Sequence, residues 1–209
     1  NTLFGKSAGN NIASGAYYNS SFGNLALQDT STGDRNTAVG SQALYRNVTG
    51  GNNTAVGAES MLGVNGNSHS NNTAVGAYSL NAITTGNDNV VVGSQAGDAI
   101  TTATENTIVG RLAGSALTTG GTNVAIGSKA LQEHLTGIRN IAIGAYSMGD
   151  TNSGTDAQDS DNNVFIGYVA GGGAWADAKS ENNVAIGSNV MQGALNGAMD
   201  NSALGYFAL

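Results

Sequence analysis

Short apolar segments alternate with polar, glycine-containing stretches at a nearly constant interval along the whole chain. Each apolar segment has the form Asn-x-Ala-(Val/Ile)-Gly or a close variant of it, and successive closing glycines lie 17 to 23 residues apart, most often 17. Twelve copies are visible between Asn1 and Gly205. A fixed short period of this kind indicates a solenoid, in which each repeat forms one coil of a stack.

Each closing glycine is followed by a second short apolar segment, such as Ser41 to Leu44, and then by a Thr/Gly/Asn stretch typical of turns. A coil of about 17 residues is too short for a pair of helices, and the 3.6-residue apolar period of helices is missing. We therefore predict an all-β parallel solenoid of about twelve coils, with two short strands per coil. The prediction treats 1–209 as one repeat domain, with insertions at 145–162 and 168–182.

Equivalent positions of a solenoid stack into columns, and two columns are nearly invariant. Asn has low strand propensity, so its recurrence predicts amides that hydrogen-bond from coil to coil, and glycine predicts a bend or close approach that excludes a Cβ atom. The asparagine column contains Asn36, Asn53, Asn72, Asn89, Asn106, Asn123, Asn140, Asn163, Asn183 and Asn201. The glycine column contains Gly40, Gly57, Gly76, Gly93, Gly110, Gly127, Gly144, Gly167, Gly187 and Gly205.

The three residues between Asn and Gly predict a strand that is apolar on both faces. Residues such as Val124 and Ile126 share one face, while Ala125 points to the other. Either face can fill the coil interior, so the pattern leaves open which one does. An apolar stripe along twelve coils exceeds the few hundred Å² usual on a monomer, so we expect the outer face to pack against further copies of the chain. A tolerated exposed stripe is the alternative.

Composition and charge exclude several classes of function. The chain has 32 glycines, no proline, no cysteine and a net charge of −7, with only seven Lys and Arg. This balance argues against nucleic-acid binding, and the missing cysteines exclude disulfides and thiolate metal sites. No apolar run is long enough to span a membrane, so we expect no membrane insertion.

The signature Asn-x-Ala-Ile-Gly-x-x-(Ala/Ser), as in 123–130 and 140–147, resembles the head repeats of YadA-like trimeric autotransporter adhesins. The longer form in 36–44 is similar to repeats of phage tail-fibre proteins. The resemblance implies a left-handed, homotrimeric β-roll or β-helix in an extracellular fibre or adhesin, on a virion tail or bacterial surface. The period near 17 departs from the shorter adhesin repeat. Since the chain begins and ends within the repeat, we expect a piece of a longer fibre or end-to-end stacking.

The sequence contains no convincing catalytic constellation, so we expect no enzymatic activity. His69 and His134 lie singly in inter-strand stretches, where we expect surface residues. Gly5-Lys6-Ser7 lacks the upstream glycine of a phosphate-binding loop, and the acidic residues share no column in which a glycosidase pair would lie.

The two insertions are the candidate recognition loops. Asp156, Asp159 and Asp161 occupy an oxygen-rich stretch that offers a weak possibility of Ca²⁺ binding at 150–161, although a solvated loop is favoured and no other cofactor is expected. Trp175 is either an exposed contact for a surface glycan or receptor, or a cover for the hydrophobic end of a coil.

A threonine column eight residues before the closing glycines raises a further alternative, ice binding. The column contains Thr32, Thr49, Thr85, Thr102, Thr119 and Thr136, with Ser68 in the remaining copy. Hydrogen bonding within turns is the simpler interpretation. The sequence therefore predicts a rigid fibre or adhesin segment that associates with itself, and the alternative is a solenoid that binds ice or glycans.

Overall fold

The computed structural model describes residues 1–150, 157–173, 175, 178–193 and 195–208. These residues contain twelve strands, each three residues long, and one 3₁₀ turn at Ala157–Asp159. The strands are β1 (Thr2–Phe4), β2 (Ser20–Phe22), β3 (Thr37–Val39), β4 (Thr54–Val56), β5 (Thr73–Val75), β6 (Val90–Val92), β7 (Thr107–Val109), β8 (Val124–Ile126), β9 (Ile141–Ile143), β10 (Val164–Ile166), β11 (Val184–Ile186) and β12 (Ser202–Leu204).

All twelve strands form one parallel sheet whose order is the order of the sequence, from β1 to β12. The register keeps equivalent positions together, so that Thr37, Ala38 and Val39 of β3 pair with Thr54, Ala55 and Val56 of β4. The chain thus makes one coil between each strand and the next. This arrangement confirms the predicted all-β parallel solenoid with about 17 residues in most coils, although its twelve strands enclose eleven coils and not the twelve expected.

Backbone hydrogen bonds run from coil to coil, along the direction in which the coils stack. The amide of Thr37 donates to the carbonyl of Asn53 at 2.8 Å, and the amide of Gly57 donates to the carbonyl of Val39 at 2.8 Å. Twelve strands at the usual separation of about 4.8 Å extend roughly 55 Å. Contacts between strands are confined to successive neighbours.

The prediction of a second strand in each coil is wrong for the described residues. The segment after each closing glycine forms turns, because its second and fourth residues adopt left-handed backbone conformations; Gln42 has φ of 57° and Leu44 has φ of 52°. A strand requires negative φ throughout. The backbone still bonds along the stack: Gln42 donates to Asn24 O in one neighbouring coil at 2.8 Å, and Leu44 donates to Ser60 O in the other at 2.9 Å.

The core is a narrow column inside the coils. The middle residue of the strands points inward and is buried from β2 to β11, whereas the first and third residues are exposed or half-buried. The face represented by Ala38 and Ala125 is therefore the internal one. This observation shows which of the two apolar strand faces fills the coil interior, a point that the sequence pattern left open.

Two inward positions of each coil compensate for each other in size. Where the middle strand residue is small, the fourth residue after the closing glycine is Leu or Met, and where it is large, that residue is glycine. The pairs are Leu3/Gly9, Ser21/Leu27, Ala38/Leu44, Ala55/Met61, Ala74/Leu80, Val91/Gly97, Ile108/Gly114, Ala125/Leu131, Ala142/Met148, Phe165/Gly171 and Ala185/Met191. A Cβ atom added at Gly114 would lie 3.0 Å from Ile108 Cδ1, and one at Gly171 would lie 2.5 Å from Phe165 Cδ1. The two residues of a pair therefore fill the same space.

Candidate functional site

The asparagines before each strand form a continuous hydrogen-bonded ladder. Asn106 is typical: its amide nitrogen and its Nδ2 both donate to Asn89 Oδ1, at 3.1 and 3.0 Å, and its Nδ2 also donates to Gly120 O at 3.1 Å. Asn106 Oδ1 in turn accepts from the amide of Asn123 at 2.9 Å. These side chains are buried along most of the stack. Because each buried amide has partners in the neighbouring coils, the ladder fixes the register of one coil on the next.

The closing glycines lie so close together that the column excludes side chains. Gly93 has φ of 142°, and a Cβ atom there would overlap the carbonyl group of Gly110. Glycine is therefore required both by the backbone conformation and by the approach of the next coil.

The outer face of the sheet carries an apolar stripe along the stack. The third residue of every strand is apolar, and none of the first or third residues is charged. The first residue is Thr or Ser in most strands before β8 and Val or Ile in β8 to β11. Val39, Val92 and Ile126 are 39, 36 and 38% exposed. This face is a candidate interaction surface that runs along the whole sheet.

In the candidate acidic loop of Asp156, Asp159 and Asp161, two of the three carboxylates contact the preceding coil. Asp161 Oδ1 accepts from the amide of Ile138 at 2.7 Å, and Asp159 Oδ1 accepts from the Thr136 hydroxyl. Asp156 lies outside the described residues. The carboxylates of Asp159 and Asp161 thus satisfy donors of the neighbouring coil. Within the described ranges, no group of three His, Cys, Asp or Glu side chains is arranged to hold a metal ion.

Trp175 lies inside a coil, where its exposure is 0%. Its indole Nε1 donates to Gly171 O at 2.8 Å, and its ring lies 5.7 Å from that of Phe165, centroid to centroid. This position contradicts the hypothesis of an exposed ligand contact, because the ring packs in the core.

His69 and His134 are both fully buried, so the expectation of surface histidines is wrong. Burial lowers the pKa of each to about 4, which leaves both rings neutral at neutral pH. His134 Nε2 lies 3.1 Å from Asn140 Nδ2, whereas both ring nitrogens of His69 and Nδ1 of His134 have no hydrogen-bond partner among the described residues. The burial of His134 could have been predicted from its column in the repeat, because the same position of other coils holds the buried residues Ile83, Ile100 and Leu117.

The threonine column is exposed from Thr32 to Thr136, including Ser68. Turn hydrogen bonding belongs mainly to the preceding column: the hydroxyls of Thr84, Thr101 and Thr118 donate to carbonyl groups of the next coil at 3.0, 3.3 and 3.1 Å. Two members of the exposed column also bond to the next coil, Thr49 with Ser68 and Thr136 with Asp159. The result is a regular row of hydroxyl and methyl groups on a second surface.

The fold and these surfaces define the class of protein, a parallel β-solenoid built from Asn-x-Ala-(Val/Ile)-Gly coils. Comparison with family models, with curated proteins and with solved structures finds no match. The part of the chain that the structure describes contains no helix with the length and hydrophobicity needed to cross a bilayer.

Proposed function

We propose that this chain is a rigid segment of an extracellular fibre or adhesin, in which three copies associate side by side. The observation that carries the proposal is the outer apolar stripe: the third residue of all twelve strands is apolar and partly or fully exposed. The role is mechanical and requires no catalytic step. Hydrogen bonds along the stack and the buried asparagine ladder support it, because they resist extension and bending.

A further copy of the same chain is the partner that the stripe fits best. Its side chains repeat at the coil spacing, so a second copy aligned along the same axis presents apolar groups at matching heights. Closed cyclic symmetry would bury the stripes around a shared axis. The absence of charged side chains from these positions agrees with the low charge of interface cores.

The length of the stripe matters for the energy of association. From β2 to β11 the third residue of each strand is already more than half covered, whereas Phe4 and Leu204 at the two ends are 75 and 79% exposed. Completing the burial of one covered side chain contributes on the order of 0.5–1 kcal/mol. Association costs about 4–15 kcal/mol in lost translational and rotational freedom. A stripe of twelve strands contributes roughly 6–12 kcal/mol per copy, which is comparable with that cost, whereas two or three strands contribute about 1–3 kcal/mol and fall below it.

Light scattering coupled to size exclusion tests the proposal. The chain has a mass of 20.8 kDa, and we expect the native protein to elute at three times that mass. The double substitution Val92→Lys and Ile126→Lys places charges in the stripe and should yield monomers with an unchanged circular dichroism spectrum. Thr102→Lys and Thr119→Lys, on the exposed threonine column, add the same charge and should leave the trimer intact. A monodisperse native monomer would remove the proposal.

The resemblance to adhesin heads and tail fibres supports two finer parts of the proposal. These are left-handed winding of the coil and a location on a virion tail or a bacterial surface. Electron microscopy of the purified assembly tests the first, and immunogold labelling of the source virion or cell tests the second.

Ice binding is the second candidate function, favoured by the exposed row of threonines from Thr32 to Thr136. A row of hydroxyl and methyl groups at constant spacing can match a periodic surface. Thermal hysteresis of the native protein, and its loss in the double variant Thr85→Lys and Thr102→Lys, would establish this function. A native protein without thermal hysteresis would exclude it.

A further inference from the structure

A surface groove of about 420 Å³ lies beside the coils that begin with β9 and β10. It is separate from the outer face of the sheet, and its lining comes from the turns that follow the strands. The lining residues are Gln132, Glu133, Tyr146, Gly149, Asp150, Tyr168, Val169 and Gly172. The volume is within the range of about 300–1,000 Å³ that small-ligand sites occupy.

The groove exists because one column of side chains is interrupted. The fifth residue after the closing glycine carries a side chain in the other coils, for example Asn81, Asp98 and Gln132. In the two successive coils at the groove this residue is Gly149 and Gly172. The chain also turns sharply there, since Gly149 and Gly172 donate to the carbonyls of Tyr146 and Val169 at 3.1 Å each. The floor of the groove therefore contains the backbone of these two glycines, with the side chain of Val169 beside Gly172: a Cβ atom added at Gly172 would lie 2.6 Å from Val169 Cγ1.

Two tyrosines and three polar side chains surround this floor. Tyr146 and Tyr168 are 43 and 56% exposed, and their rings meet edge to face with centroids 6.5 Å apart. Gln132, Glu133 and Asp150 contribute an amide and two carboxylates to the same groove. Aromatic rings next to a few hydrogen-bonding groups are typical of sites for ligands with apolar faces and polar edges.

Charge selects the class of ligand. Anions are disfavoured by the carboxylates of Glu133 and Asp150 and by the net charge of −7. Cations are disfavoured at the aromatic pair, because Lys129 Nζ already lies 5.3 Å from the centroid of the Tyr146 ring. A neutral ligand with many hydroxyl groups meets neither repulsion, and its hydroxyls can donate to both carboxylates.

We propose that this groove binds a neutral pyranose unit of an oligosaccharide. The C–H face of the sugar ring packs against Tyr146 and Tyr168, and its hydroxyls donate to Glu133 and Asp150. The site is formed within a single chain. The sugar site therefore does not depend on the proposed self-association, and either proposal can fail without the other.

Nuclear magnetic resonance titration of the full chain tests the proposal with hexasaccharides of glucose, mannose and N-acetylglucosamine. A heparin hexasaccharide and choline serve as the anionic and cationic arms. We expect at least one neutral hexasaccharide to shift the resonances of groove residues in a saturable way at concentrations below about 10 mM. No saturable shift by any neutral sugar, or binding of only heparin or choline, would overturn the assignment.

Matched tyrosine variants connect any binding to this groove. Tyr146→Ala and Tyr168→Ala should each weaken binding about tenfold, as expected when a central aromatic contact is removed. Tyr78 is the matched control, because it occupies the same position of its coil as Tyr146, has φ of 59° against 58°, and is 45% exposed away from the groove. Tyr78→Ala should leave affinity within a factor of about two. Equal effects of all three variants would place the sugar elsewhere and reject the proposal.

Discussion

Three positions of each regular coil hold residues in the left-handed region of backbone conformation. They are the second and fourth residues after the closing glycine and the residue before the ladder asparagine, represented by Gln42, Leu44 and Arg35 with φ of 57, 52 and 57°. Such conformations cost non-glycine residues roughly 1 kcal/mol each, and most for β-branched side chains. The coil tolerates this cost because each tight bend keeps the backbone amides bonded to the neighbouring coils.

Thr122 is one of two β-branched residues in these left-handed conformations among the described residues, the other being Val169, and it offers a stabilising substitution. It is an exposed β-branched residue with φ of 57°, while Asn52 holds the equivalent position with φ of 58°. Thr122→Asn should raise the free energy of unfolding by about 1 kcal/mol, because Asn tolerates left-handed φ. The reverse change, Asn52→Thr, should lower it by a similar amount. Urea denaturation measures both, and a Thr122→Asn protein no more stable than the native one would contradict the assigned strain.

The buried histidines make stability depend on pH. Because their folded pKa of about 4 lies below the unfolded value of 6.5, the unfolded state binds protons first as the pH falls. The stabilising contribution of these two neutral rings is fully present above pH 6.5 and declines between pH 6.5 and 4. Below pH 4 the histidines cause no further change in the free energy of unfolding. The expected loss is about 2 kcal/mol per histidine at pH 5. Urea midpoints at pH 7 and pH 5 measure it.

His134→Ile separates the contribution of one histidine. The variant copies Ile83, which holds this position in the coil with the Ala74/Leu80 pair, just as His134 belongs to the coil of Ala125/Leu131. Its loss of stability between pH 7 and pH 5 should be roughly half that of the native protein. Asp98 acts in the opposite direction, because burial raises the pKa of its carboxyl, but it is present in both proteins. An unchanged pH dependence in His134→Ile would show that other groups control it.

At the scale of the coil, size compensation inside the core predicts a strong coupling between two residues. Leu80→Gly removes a buried side chain and should destabilise by about 2–5 kcal/mol, reduced by the relief of left-handed φ at that position. Ala74→Ile adds volume against Leu80 and should cost about 1–3 kcal/mol. The double variant recreates the Ile108/Gly114 arrangement. Its destabilisation should be smaller than the sum of the two single effects by about 1–3 kcal/mol, measured in a double-mutant cycle. Additive effects would mean that the two sites do not share space.

Much of the coil could be predicted from the sequence, and the misses have a physical cause. The repeat locates each strand, since Asn and Gly bracket Thr37–Val39 and its counterparts at a constant offset. Segment 41–44 looks apolar enough for a strand, but Gln42 and Leu44 adopt left-handed backbone conformations. The residue types Gln and Leu give no indication of this conformation. Column comparison detects what coils share. It is weakest for residues that occur once, and His69 and Trp175 are such residues.

The surfaces were predictable to different degrees for the same reason. The outer stripe follows from the repeat, because it is the same in every coil. The groove between Tyr146 and Tyr168 depends on departures from the repeat, namely two glycines and two coils of unusual length. Only the three-dimensional path of the chain shows that these departures meet at one place.

At the scale of the whole molecule, stability should follow nearest-neighbour rules, since strand contacts link only successive coils. In such a stack a local defect breaks the rod into two parts, each of which retains its own contacts. Gly110 is the best place to introduce one: a Cβ atom there would overlap the carbonyl group of Gly127, in a backbone with φ of 139°. We expect Gly110→Ala to unfold in two separate transitions.

Gly205→Ala is the matched control for this defect. Gly205 has a similar φ of 127°, but a Cβ atom there meets nothing within 4 Å among the described residues. The control therefore carries the conformational strain of alanine without the clash against a neighbouring coil, and it should unfold in one transition as the native chain does. Hydrogen exchange locates the break, since Gly110→Ala should lose protection in β6 to β8 while β3 and β11 keep theirs. Uniform loss of protection along the chain would contradict this prediction. It would show that the solenoid folds as one cooperative unit, because a stack coupled only through adjacent coils cannot transmit a local clash over that distance.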